Sequence, residues 1–123
     1  MADIIGHFSK TVIETLDLHN IPAGTPIFIG ESNVEHIKSR HPYEYEKYFC
    51  DIRDIIKNPD FVGINPSDSS IAFVKEYLIA SEYVKVAVRI TGGGTYFAKS
   101  LHSLSTYNAE RYIAKGTLKK LDK

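Results

Sequence analysis

The hydrophobic period of the chain changes near residue 60, and that change constrains its fold more than any other feature. From Ile71 to Ile79, Tyr83 to Ile90 and Tyr96 to Leu104 the residues follow strand patterns. The middle segment alternates cleanly, with Val84, Val86, Val88 and Ile90 on one face and Lys85 and Arg89 on the other. Gly92-Gly93-Gly94 reads as the turn between the second and third strands. A phosphate-cradling glycine loop leads from strand into helix, whereas here β-patterned sequence lies on both sides. Phe61-Val62-Gly63-Ile64 is a further short strand, and Asn65-Pro66-Ser67-Asp68 a turn.

Before residue 60 the spacing is helical. Ile4, Ile5, Phe8, Val12, Ile13 and Leu16 predict an amphipathic helix over 4–17, with Asp3 as its N-cap. Its polar face is mixed in charge, so the apolar stripe suits core packing or a homodimer seam rather than a membrane surface. Residues 21–26 form a loop, and Ile27-Phe28-Ile29 a short strand closed by Gly30. Ser32-Asn33-Val34-Glu35 has capping-box form and opens a helix running to about Arg40. Pro42 ends or kinks it, because the residue before a proline is pushed out of the α region. A second helix over about 43–57 buries Tyr45, Tyr48, Phe49, Ile52, Ile55 and Ile56, and Asn58-Pro59-Asp60 stops it. Residues 108–115 make a short closing helix, stopped at Gly116. This order predicts an α+β fold, with N-terminal helices on one face of a curved antiparallel sheet of about four strands and a short C-terminal helix.

A chain of 123 residues has the length of one domain, here 1–123, with an N-terminal segment 1–20 ahead of a core over 26–120. No apolar run is long enough to span a bilayer, and the first ten residues lack a secretory pattern, so a cytoplasmic location is expected. The single cysteine, Cys50, excludes an internal disulfide and falls in an apolar pattern, as a small core hydrophobe would. Net charge is zero but unevenly distributed. Residues 1–70 carry six basic and eleven acidic side chains, and residues 71–123 carry nine basic and four acidic ones. A basic face for an anion is therefore available if these halves stay apart in space.

The chemistry-bearing stretch is His36-Ile37-Lys38-Ser39-Arg40-His41-Pro42. Imidazole both takes and gives protons near neutral pH, and guanidinium is well shaped to hold phosphate. His36 and Arg40 are four apart and share a helix face, while His41 is five from His36 and points elsewhere. Zinc-binding helices need histidines four apart, and no third ligand is evident. On the sheet, Lys85 and Arg89 share a face, Lys75 alternates with Phe73 and Tyr77, and the third strand offers Lys99 and Ser103 on one face and Ser100 and His102 on the other. Such a face suits an anionic, partly aromatic ligand such as RNA. The matching chemistry is cleavage without metal or other cofactor: a base takes the 2′-hydroxyl proton, the oxygen attacks phosphorus, and an acid protonates the leaving 5′-oxygen. The alternative is a non-catalytic module that binds RNA or protein through the same basic face. In an enzyme, one histidine should approach Lys75 and Arg89 across a cleft. In a binding module, both histidines would turn away from it.

The HIxxRHP string, the Asn58-to-Pro66 string, Val74-Lys75-Glu76-Tyr77 and the strands that follow resemble the phage-associated nuclease domains of the barnase–EndoU–colicin–RelE class. The resemblance covers about residues 26–120. It implies an α+β fold, metal-independent RNase activity and a toxin or phage-conflict role, with room for an antitoxin or immunity partner. By position it implies catalytic roles for His36, Arg40, His41, Lys75 and Arg89. It assigns a late polar residue to Ser103, Ser105 or Tyr107, which join Lys85 and His102 as candidate substrate contacts. The neutral charge departs from a strongly basic nuclease and favours a small or structured target such as a tRNA loop.

Overall fold

Val84, Val86 and Val88 are fully buried, as the alternation predicts, whereas Ile90 at the strand end is 56% exposed. The computed structural model describes residues 2–121. In chain order the elements are β1 (Asp3–His7), α1 (Lys10–Leu16), β2 (Pro26–Ile29), α2 (Glu31–Arg40), α3 (Pro42–Tyr48), a 3-10 turn (Phe49–Asp51), α4 (Ile52–Lys57), β3 (Phe61–Ile64), β4 (Ile71–Tyr77), β5 (Glu82–Ile90), β6 (Tyr96–Leu104), α5 (Thr106–Lys115) and β7 (Leu118–Lys120). The α+β plan holds, but the sheet has seven strands rather than four, in the order β1-β2-β6-β5-β4-β3-β7. It is also mixed, because β2 runs parallel to β6 while every other pair is antiparallel.

The expected helix over 4–17 divides in two. Ile4 and Ile5 are β-branched, and Gly6 is a poor helix former, so this stretch pairs with β2 as an edge strand. A Cβ at Gly6 would come within 2.6 Å of Ile56 Cγ2, so glycine lets β1 approach α4 closely. Ser9, not Asp3, caps α1: its hydroxyl accepts the Val12 N–H at 3.1 Å. The cap of α2 also differs from expectation, since the Asn33 side chain accepts the Gly30 N–H at 2.8 Å. Helix 43–57 is interrupted by the 3-10 turn, and Cys50 in that turn is exposed rather than in the core.

The main core lies between the sheet and α1–α4, where Phe8, Val12, Ile37, Ile55, Phe73 and Leu101 join the β5 valines. Each such side chain contributes roughly 1.5–3 kcal/mol by leaving water. Phe8 meets Tyr96 edge-on at 5.0 Å, tying the loop after β1 to the start of β6. A second cluster on the opposite face packs Tyr112 and Ile113 of α5 against Phe61, Val74 and Leu118. The apolar stripe of α1 is thus spent inside this chain, with Val12 and Leu16 both buried. Among the described residues no helix is long and apolar enough to cross a membrane.

The Asn58-to-Pro66 string has a clear structural use. Asn58 ends α4 and donates from its side chain to Asp54 at 2.8 Å. The Asp60 carboxylate accepts the Glu76 N–H at 2.8 Å, which sets β4 beside the start of β3. Gly63 lies where β3 is sandwiched between β4 and β7, and a Cβ there would collide with the Thr117 carbonyl oxygen. Gly63→Ala is therefore expected to lower the unfolding free energy by about 1–3 kcal/mol. Urea denaturation checks this, and an unchanged midpoint would refute the close approach of β7.

Candidate active site

The site begins with an irregularity in β6. Ala98 pairs with Val88 and Ser100 with Ala87, so Lys99 is an extra, bulged residue. A one-residue shift reverses which face each following side chain takes. His102 consequently stands opposite Lys85, on the face away from the valine core. Without the bulge, Leu101 would oppose Lys85 and His102 would point among the β5 valines.

The second component comes from the α2–α3 junction. β2 pairs with β6 only at Tyr96 and Phe97, and α2 and α3 pack along the remainder of that edge. Glu44 of α3 accepts the Ser103 N–H at 3.0 Å and the Ser103 hydroxyl at 2.9 Å, satisfying an edge donor that no strand reaches. His41 belongs to both helices. Its N–H donates to the Ile37 carbonyl, and its own carbonyl accepts the Tyr45 N–H, each at 2.8 Å. Pro42 supplies the first position of α3 and breaks the helix there. The His41 ring thereby reaches around the β6 edge and stacks on His102, with centroids 5.2 Å apart and planes at 29°.

Around this pair lies a groove. On one side Lys99, Ser100, Asp68 and Lys85 border it with both imidazoles. On the other, Lys85, His102 and Asn65 continue into a cavity of about 410 Å³ walled by Tyr112 and Lys115 of α5. The β3–β4 loop is braced from within: Asn65 Oδ1 accepts the Ser67 N–H, and Asp68 Oδ1 accepts the Ser70 N–H, both at 2.9 Å. Asp68 also meets the Lys99 ammonium at 3.4 Å. The Ser70 hydrogen bonds and Lys99 bring the Asp68 carboxyl down to about 2.

Burial, then Lys85 and His41, push the His102 imidazole down to about 4, so it is neutral at pH 7. Its Nδ1 is buried with no hydrogen-bond partner among the described residues. Burial likewise lowers the Lys85 ammonium. Burial works to raise the Glu44 carboxyl, but the Ser103 hydrogen bonds outweigh it and hold the group below its usual range. The described residues contain no group of three His, Cys, Asp or Glu side chains placed to hold a metal ion.

Of the residues expected from the sequence, the groove brings together His41, Lys85 and His102. Lys75 lies on the opposite face, where it pairs with Asp54 at 3.2 Å and donates to the Asn58 carbonyl at 3.3 Å. Arg89 is exposed near the far end of β5, opposite Phe97. The expected meeting of a histidine with Lys75 and Arg89 does not occur. His36 and Arg40 are exposed on α2, outside the groove, because Ile37 between them takes the buried face. Ser103 is on the helix side in the grip of Glu44, Ser105 caps α5 by accepting the Asn108 N–H, and Tyr107 is 72% exposed beneath Arg111. Sequence reasoning missed Asp68 and set Lys99 on the same face as Ser103, leaving open which set joins the site. The turn Asn65-Pro66-Ser67-Asp68 was a signal for the first, and the bulge, which puts Lys99 in the groove with Ser100 and His102, accounts for the second.

The family described as phage-Barnase-EndoU-ColicinE5/D-RelE like nuclease 3 matches residues 3–115. That span contains every element from β1 to α5, including the β1 strand and the α1 helix that lay outside the resemblance seen in the sequence. No curated protein and no solved structure matches the chain. With both imidazoles and Lys85, Lys99 and Lys115 inside the matched span, the chain belongs to this family of phage-associated nucleases.

Proposed function

We propose that this nuclease is an endoribonuclease that cleaves by attack of the substrate's own 2′-hydroxyl, without a metal ion. The stacked His41–His102 pair beside Lys85 and Lys99 carries the reading. Two imidazoles bordering one groove supply a base and an acid. Two lysines supply positive charge for a phosphodiester between them.

His102, neutral at pH 7, is free to accept the 2′-hydroxyl proton as the oxygen bonds to phosphorus. The bond from phosphorus to the 5′-oxygen breaks, and His41 in its protonated form gives its proton to that oxygen. The products are a 2′,3′-cyclic phosphate and a 5′-hydroxyl. Lys85 and Lys99 hold the charge that builds on the non-bridging oxygens. Because the nucleophile is already in the substrate, proximity is supplied by the RNA itself. The enzyme reading expected a histidine beside Lys75 and Arg89, and the fold keeps it away from both; what favours that reading over a binding module is that His41 borders the groove with Lys85 and Lys99. The reading carries with it a toxin or phage-conflict role in the cytoplasm, an antitoxin or immunity partner, and a small or structured target such as a tRNA loop.

Purified protein is expected to cut RNA in EDTA, to leave 2′,3′-cyclic ends, and to spare DNA of the same sequence. His41→Ala and His102→Ala should each lower kcat by about 10²–10⁴-fold. His36→Ala should stay near wild type. Loss of cleavage in EDTA, or full activity in the double variant lacking both His41 and His102, would refute the mechanism.

Stability should also follow His102. Its imidazole titrates near 6.5 when unfolded and about 4 when folded, so between these values the unfolded chain binds more protons. Stability is therefore lost as pH falls from about 6.5 to about 4, by up to roughly 3 kcal/mol. Urea midpoints at pH 7 and 4.5 measure this, and His102→Asn should flatten the difference.

A further inference from the structure

His41 is the N-cap of α3, and Glu44 is the third residue of that helix. A glutamate at this position commonly turns back to accept the N-cap N–H. Here the His41 N–H already goes to the Ile37 carbonyl at the end of α2. Glu44 instead accepts the Ser103 N–H and hydroxyl, both at one oxygen, Oε2. Ser103 directly follows His102. Glu44 is therefore about one helical turn from one imidazole and bonded to the neighbour of the other.

Around His41, β5 brings Lys85, β6 brings Lys99 and His102, the β3–β4 loop brings Asp68 and α3 brings Glu44, while α2 leaves Arg40 exposed. Both lysines oppose a proton on His41. Asp68 is held by Lys99 at 3.4 Å and by the Ser70 N–H. Glu44 makes no direct ion pair among the described residues, so its charge acts on His41 through space. Burial works to raise the Glu44 carboxyl, the Ser103 hydrogen bonds outweigh it, and attraction to His41 adds to them. Such attraction is mutual, so the carboxylate favours the charged form of the ring. A charged His41 in turn helps keep its partner neutral: burial, then Lys85 and His41, lower His102 and outweigh the opposite pull of Glu44. We propose that Glu44 is a positioning residue that holds His41 against His102 and assigns to His41 the role of acid. This inference rests on reading the His41–His102 groove as the site of RNA cleavage.

Glu44→Gln separates the two parts of this role. The glutamine carbonyl can accept both Ser103 bonds but carries no charge. Ring ¹⁵N shifts of labelled protein at pH 7 report the ratio of charged to neutral His41 without any substrate. In E44Q that ratio should fall about threefold, the equivalent of about half a pH unit, and the alkaline limb of the pH–rate profile should move down by the same amount. The ring-current shifts that His41 and His102 impose on each other should persist in E44Q and be lost in E44A. E44D keeps the charge and should stay closer to the wild-type ratio than E44Q. E46Q removes an exposed carboxylate of the same helix and should match the wild type. In E44A, kcat should fall about tenfold or more with the KM for RNA within about twofold, because Glu44 acts through His41 and not on the substrate. A wild-type ratio in E44Q, or ring-current shifts that survive in E44A, overturns the proposal; should E44A not fold, E44Q against E44D decides it. Cleavage of RNA by the wild-type protein is scored separately. If RNA is cut while E44Q leaves His41 unmoved, Glu44 loses its role and the cleavage reading stands. If the ratio falls as expected but no RNA is cut, the cleavage reading falls and the coupling of Glu44 to His41 stands.

Discussion

A single inserted residue, Lys99, decides what the two faces of β6 present. Before it, Ala98 points into the valine core; after it, Leu101 takes over that role and His102 is released to the other side. A bulge usually twists and bends a strand locally. Here it also lets one strand serve the core at both ends while offering polar groups in its second half. Deleting the extra residue would drive an imidazole among Val84 and Val86 and expel a leucine to water, each at a cost of a few kcal/mol. The groove, the position of Lys85 opposite His102, and the stacking with His41 all depend on that offset.

The electrostatics follow from the same geometry. The basic second half of the chain supplies Lys85, Lys99 and Lys115 to the groove, while several acids of the first half are bound up in packing: Glu44 on Ser103, Asp54 on Lys75, Asp51 on Tyr77. Net neutrality therefore hides a local excess of positive charge along one face. Burial keeps His102 neutral and lowers Lys85, so both groups stand to gain from an arriving anion. Such groups cost stability in the free protein, a cost commonly found where chemistry is done.

Elements whose residues carry one unambiguous period were legible in the sequence. The β4, β5 and β6 segments, the stop at Asn58-Pro59-Asp60, and Gly116, which ends α5 at φ 80°, were all read close to where they lie. β1 was not, because Ile4, Ile5 and Phe8 satisfy a helical spacing that overlaps a strand too short to show alternation. β7 and the parallel β2–β6 pairing rest on contacts distant in sequence, which no local pattern encodes. His41 could be placed because Pro42 marks a change of direction. His36, Lys75 and Arg89 could not, since each depends on which face an element buries, and for β6 that assignment turns on an unseen bulge. The residue types of the site were visible; their convergence was not.

The bond between Glu44 and Ser103 joins positions 59 residues apart in the chain. Nothing local holds His41 beside His102; the junction reaches β6 only after the β5–β6 hairpin has formed and α3 has closed on its edge. Contacts of such long sequence separation form late, because the entropy of closing the loop is lost before any bond repays it. A chain still emerging from the ribosome has the α2–α3 segment but no β6 for it to cover. The groove thus cannot exist before β6 has been made, and a chain that stops short of it carries His41 without His102 and no site.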